Sequence, residues 1–241
     1  MSLIKKNKPQ TWLCKQIMFE DDFLIIIDKP QGVVVNRSET SPKDTLQDFI
    51  EEKYPKTFLG ESEFAQRSGI VHRLDKDTSG VIIGTKTEEA FNHIKKQFQN
   101  REVKKEYLAV VIGEFTDAKV RVEAPIKRSP KNRLKMGIDP SGREAVTNIE
   151  LEKNFEKEGE KFTLLRVYPE TGRTHQIRVH LAALKFPIVG DKIYSTSNNM
   201  AQLSGIFDRL MLHSKAISFV HPDKKEPVNF EAPIPKEFSE L

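Results

Sequence analysis

The feature that most constrains how this chain folds is a series of short apolar runs rich in Val, Ile, Leu and Phe. They lie at residues 107–112, 119–122, 145–151, 162–167, 216–220 and 228–230. Similar runs at 23–27 and 81–84 precede them, the first closed by the turn signal Asp28-Lys29-Pro30-Gln31-Gly32. Helical patterns are few. Residues 42–54 read as a helix with Asp44 or Thr45 as cap, and 87–99 as a second one capped by Thr87 with Ala90, Phe91, Ile94 and Phe98 as its stripe. A third, 174–184, has Thr174 as cap and is stopped before Pro187. Strands in runs with few helices between them predict an α+β fold whose mixed sheet is mainly antiparallel and flanked by a few helices. No repeat and no Ser/Gly linker divides the chain, so it reads as a short basic N-terminal arm, 1–16, and one domain, 17–241.

With 241 residues, 37% hydrophobic and 31% charged, the chain can bury a core without metals or disulfides. No apolar run approaches the ~20 residues of a bilayer span, and the N-terminus lacks the apolar stretch of a secretory signal. The single cysteine, Cys14, excludes an internal disulfide and suits a reducing cytoplasm. Net charge is +4, but the basic residues cluster. Lys127, Arg128, Lys131, Arg133, Lys135 and Arg143 share a Pro/Gly-containing stretch, and Lys95, Lys96, Arg101, Lys104 and Lys105 form a second group. Such a loop reads equally as a clamp for a phosphate backbone and as a solvated, charged surface.

Two words stand out. In His72-Arg73-Leu74-Asp75-Lys76-Asp77-Thr78-Ser79-Gly80, Asp75 precedes a turn and a strand. It reads either as a turn-former bonded to its own backbone or as a carboxylate that stabilises or attacks an oxocarbenium-like anomeric carbon. Asp77 is the better turn acid. The second word runs from Glu170 to Leu181: Glu-Thr-Gly-Arg-Thr-His-Gln-Ile-Arg-Val-His-Leu. There Arg173 projects from a loop at a helix start, free to meet a carboxylate or a phosphate. Arg178 and His180 either touch a polyanion or decorate the helix. His175 and His180 would stand about 140° apart on a helix, and with no HExxH pattern or cysteine pair a metal site is not expected.

These two words are similar to the hallmark words of the RluA family of pseudouridine synthases. The stretches 28–33, 104–111, 186–194 and 212–219 also match in order, so the resemblance covers roughly residues 17–235. His72 and His175 favour this family over its RsuA-type relatives. The resemblance implies an RNA pseudouridine synthase that cleaves N1–C1′, turns the uracil and rebuilds the bond at C5, without metal or cofactor. Asp75 would be the catalytic aspartate, acting on C1′ or on the C2′ proton, and Arg173 would pair with it and keep it ionised. Tyr107 would lie against the uracil, Ile177 and Leu212 would line the base pocket, and Arg73 would fill the stack vacated by a flipped uridine. His72, Arg178, Lys127, Arg128, Lys131 and Arg133 would join the RNA contacts. Only about twenty residues precede the first family word. The extra N-terminal RNA-binding domain of many members is therefore expected to be missing. The implied partner is a loop of ribosomal or transfer RNA, met by a cytoplasmic monomer. Two rivals stand beside it. A non-catalytic RNA-binding module would be expected to lose Asp75 or Arg173, and a glycosidase-like hydrolase would need a second acid facing Asp75.

Overall fold

The computed structural model describes residues 11–241, apart from 42, 198, 200–202 and 204. Most of the expected basic arm, 1–10, and Pro42 of the first expected helix therefore lie outside the described residues. The fold is α+β, as its run of strands predicts. The main sheet has the order β1-β2-β3-β10-β4-β9-β8-β5, with β11 also beside β10. Its strands are β1 Ile17–Glu20, β2 Leu24–Lys29, β3 Ser79–Thr85, β4 Lys104–Ile112, β5 Lys119–Glu123, β8 Val146–Lys157, β9 Glu160–Pro169, β10 Leu212–Val220 and β11 Pro227–Glu231. Among the described residues only the β3–β10 pair is parallel; the other pairs in the sheet are antiparallel.

Strand periodicity explains why β2 and β3 read as continuous apolar runs. Leu24, Ile26, Val81 and Ile83 pack on one face with Phe91 and Ile94, whereas Ile25, Ile27 and Ile82 pack on the other with Leu46, Phe49 and Ile50. Both faces are covered, so residues 24–27 of β2 and 81–83 of β3 are all apolar. The covering elements are α3 Glu88–Gln99 on the first face and α1 Leu46–Lys53 on the second, with the short α2 Glu63–Gln66 between them in sequence. Thr87 caps α3, as expected. At α1 the cap is Thr45, in a capping box with Asp48. The 3-10 helix Thr11–Gln16 carries Leu13 fully into this second face, so the chain is already part of the core inside the expected arm.

The third helix differs from expectation. α4 spans Gln176–Ala183, and its N-cap is His175 at φ +56°, with no side-chain cap from Thr174. Gln176 instead ties down the preceding loop: its Oε1 accepts the Arg173 N–H at 3.0 Å and the Thr171 hydroxyl at 2.7 Å. Residues 127–143 also differ. They hold a two-stranded hairpin, β6 Ile126–Arg128 and β7 Met136–Ile138, anchored where Ile126 and Met136 meet Val179 of α4 and Tyr194. It was hidden because each strand is only three residues long, and in β6 one buried apolar residue, Ile126, is followed by exposed Lys127 and Arg128.

Candidate active site

Asp75 lies on the loop between α2 and β3, and the neighbouring elements fix that loop from several sides. Gly80 enters β3 at φ +110°, where a Cβ would stand 2.1 Å from the Ser214 carbonyl oxygen of the parallel strand β10. Only glycine permits that approach. The turn therefore spans Asp75–Thr78, closed by the Thr78 N–H to the Asp75 carbonyl at 3.1 Å, while Ser79 and Gly80 already belong to the strand. Beneath the turn, the fully buried Lys29 donates from Nζ to the carbonyls of Pro30, Val33 and Lys76 at 2.8, 3.0 and 3.1 Å. Burial pushes the Lys29 pKa down to about 7, against the pull of Asp77 and Asp75.

His72 turns one ring nitrogen inward. Its Nε2 accepts the Ile83 N–H at 3.0 Å, and the ring stacks on Phe98. Burial, helped by the charges of Lys105 and Arg67, pushes its pKa down to about 3, which suits a neutral acceptor. Arg73, next in sequence, is exposed, as a side chain offered to a partner must be.

The cation beside Asp75 is Arg178, not Arg173. Arg178 Nη1 donates to Asp75 Oδ2 at 2.9 Å. Its Nε and Nη2 grip Asp191 at 2.7 and 2.9 Å, a bidentate fork. Asp191 is itself fixed by the backbone N–H groups of Ile193 and Tyr194. Burial opposes its ionisation, but Arg178 and those N–H groups outweigh burial and hold its pKa below the usual carboxylate value. Arg173 instead donates from Nε to the Glu144 carbonyl at 2.8 Å, near the charges of Arg143 and Arg101. The bend before α4 aims residue 173 at the start of β8, whereas residue 178, a turn into the helix, faces Asp75. Arg178 is 6% exposed, so it is neither a helix decoration nor a surface contact. His180 is likewise wholly buried, bonded to Thr147 and to the Ala124 carbonyl.

Tyr107 of β4 is half-buried at the junction of two core clusters. Burial pushes its phenol up to about 12; Asp75 acts in the same direction and a hydrogen bond with Ser214 opposes. Ile177 and Leu212 are buried in the first of those clusters. Asp75 keeps 20% side-chain exposure, whereas Asp191 has none. The site therefore offers a substrate one carboxylate backed by a rigid cation. The acid pair a hydrolase needs on two sides of a sugar is not formed by these groups.

The family described as RNA pseudouridylate synthase matches residues 23–183. The chain belongs to this family. It is 40% identical over 234 residues to the ribosomal large subunit pseudouridine synthase D of Xanthomonas campestris pv. campestris, covering 93% of this chain and 67% of that protein. It is 37% identical to the protein of the same description from Escherichia coli strain K12, covering 93% and 68%. Among solved structures, human RNA pseudouridylate synthase domain containing 1 matches with a TM-score of 0.73 at 25% identity, over 91% of this chain and 83% of that one. Human RNA pseudouridylate synthase domain containing 4 shares the fold, with a TM-score of 0.70 at 23% identity. As a pseudouridine synthase the chain is an isomerase acting on RNA.

In this pseudouridine synthase the hairpin side chains Lys127, Arg128, Lys131 and Arg133 are all exposed. Among the described residues no helix is long and apolar enough to cross a membrane. Sequence reasoning missed Asp191 and Tyr194 as parts of the site, although both lie in the matching stretch 186–194. Their signal was an acidic residue and a tyrosine just after Gly190, which turns at φ +74°.

Proposed function

We propose that Asp75 carries the glycosidic chemistry of this enzyme on a uridine flipped out of an RNA loop, with Arg178 as its fixed counter-ion. The observation that carries this reading is the 2.9 Å pair between a partly exposed Asp75 and an Arg178 locked by Asp191. A carboxylate so held can stabilise or attack C1′ as N1 departs, or take the C2′ proton, with no reorganisation at the moment of reaction. Either way the N1–C1′ bond breaks, C5–C1′ forms, C5 loses its hydrogen to solvent and N1 gains one. Tyr107, neutral at working pH, lies against the uracil in a pocket that Ile177 and Leu212 help to form. Arg73 fills the vacated stack, since a guanidinium both stacks and hydrogen-bonds. The catalytic domain takes in Thr11–Gln16 together with residues 17–241, and the protein acts as a cytoplasmic monomer.

The relatives' descriptions favour large-subunit ribosomal RNA as substrate. The test incubates the protein with in vitro transcripts of large-subunit ribosomal RNA and, separately, of transfer RNAs, and maps pseudouridine in each. Conversion at discrete uridines of the ribosomal transcript is expected. Conversion confined to transfer RNA would overturn the choice of substrate, and conversion in neither, with free uracil released, would favour hydrolysis.

A further inference from the structure

Resting on that reading of Asp75, we propose that Tyr194 and His175 are positioning residues that tie the basic hairpin to Asp75, so that RNA held by the hairpin also sets the carboxylate. A continuous chain of polar contacts joins the two. The Met136 N–H of β7 donates to the Tyr194 hydroxyl at 2.9 Å. That hydroxyl lies 2.8 Å from His175 Nδ1, and His175 Nε2 faces Asp75 Oδ2 at 3.9 Å. The Tyr194 ring also receives the Arg178 guanidinium at 5.2 Å, so the same residue touches the counter-ion of Asp75.

Charge fixes the direction of the chain. Asp75 is an acceptor, so a bond to it from His175 requires hydrogen on Nε2. Nδ1 is then a lone pair and accepts the Tyr194 hydroxyl, which still has a lone pair for the Met136 N–H. In that sense every donor of the chain finds an acceptor. The 3.9 Å step is longer than a hydrogen bond, and such contacts tighten when substrate arrives. His175 holds φ +56° without being glycine. That conformation is costly, and here the ring is fixed by its bond and edge contact to Tyr194.

A 3.9 Å gap that the hairpin can close is a device for coupling grip to chemistry. The hairpin base rests on Tyr194 and Val179, so a shift of β7 moves the hydroxyl that orients His175. Packing of the ring alone does not use the hydroxyl, which holds both the Met136 N–H and the His175 ring.

The experiment measures single-turnover pseudouridine formation on an in vitro transcript of large-subunit ribosomal RNA, with RNA affinity determined separately. Tyr194→Phe keeps the ring and removes the relay. Its rate at saturating RNA should fall about tenfold, the effect of one hydrogen bond on a barrier, while affinity stays within about twofold. Neutralising Lys131 and Arg133 should lower both affinity and saturating rate in the natural protein, but affinity alone in the Tyr194→Phe background. A full saturating rate for Tyr194→Phe, or additive rate losses, overturns the proposal. A second measurement needs no variant: the ¹⁵N resonances of His175 should report hydrogen on Nε2, and hydrogen on Nδ1 overturns it. Asp75→Asn in the same assay separates the two claims. An inactive Asp75→Asn beside an unimpaired Tyr194→Phe overturns this inference alone, whereas an active Asp75→Asn overturns the reading of the site itself.

Discussion

At the scale of single residues, Arg178 bears the greatest electrostatic demand. Two carboxylates converge on it, and one of them, Asp191, is fully buried. Arg178→Ala leaves Asp191 without its cation, and breaking a buried pair in this way costs about 3–5 kcal/mol. A urea titration of that variant should show the loss, together with loss of activity. Arg178→Lys should recover little of either, because an ammonium cannot fork onto Asp191 while reaching Asp75. Arg173→Ala should behave differently. Its guanidinium sits beside Glu144, Arg143 and Arg101 rather than Asp75, so RNA affinity should weaken while the rate at saturating RNA is retained. A catalytic defect at saturation in that variant would return Arg173 to the chemistry. Sequence reasoning chose Arg173 because an arginine on a loop looks free to meet an acid. It read Arg178 as an RNA contact or a decoration of the helix, because nothing local in the sequence shows which helix face is buried. In fact six of the eight residues of α4 are buried.

At the scale of elements, the β6–β7 hairpin is the structure's largest addition to the sequence reading. Its turn is ordered by its own bonds: Ser129 N–H to the Lys135 carbonyl, Lys135 N–H to the Asn132 carbonyl, and Leu134 N–H to the Asn132 side chain. It therefore presents its basic side chains at fixed positions. Replacing Lys127, Arg128, Lys131 and Arg133 by alanine should weaken RNA binding most at low salt. It should also flatten the plot of log affinity against log salt by about 0.7–0.9 per lost phosphate contact. An unchanged slope would make the hairpin a solvated surface. The α1 and α3 helices were legible because their caps and stripes are local signals. The start of α4 was not, because no side chain caps it and a glutamine inside the helix holds the preceding loop.

At the scale of the whole molecule, the sheet places Asp75 at the junction of two antiparallel halves. The single parallel pair, β3 with β10, brings Ser79 opposite His213. His213 is fully buried, with Nδ1 2.8 Å from the Ser79 hydroxyl. Burial, then the Arg209 charge, pushes its pKa down to about 4 from 6.5. Between pH 4 and 6.5 the unfolded chain therefore binds the extra proton at this position. Stability contributed here is complete above pH 6.5 and is lost as pH falls towards 4, by roughly 3 kcal/mol. His72, with its lowered pKa, acts in the same sense. Unfolding free energies at pH 7 and pH 4 should differ less in His213→Asn than in the natural protein; equal differences would refute this linkage. Sheet class and eight of the nine strands of the main sheet were legible from the apolar runs; β1, Ile17–Glu20, was not. Strand order was not, since the β3–β10 pairing joins segments more than a hundred residues apart and no local pattern records it.

The central claim is that Asp75 breaks and rebuilds the glycosidic bond. Forming C5–C1′ expels the hydrogen at C5, so tritium release from a large-subunit ribosomal RNA transcript labelled at uridine C5 measures the reaction directly. The natural protein should release tritium in step with pseudouridine formed. Asp75→Asn, which alters charge with almost no change in volume, should bind the transcript as well and release none. Release by Asp75→Asn at the natural rate would contradict the account.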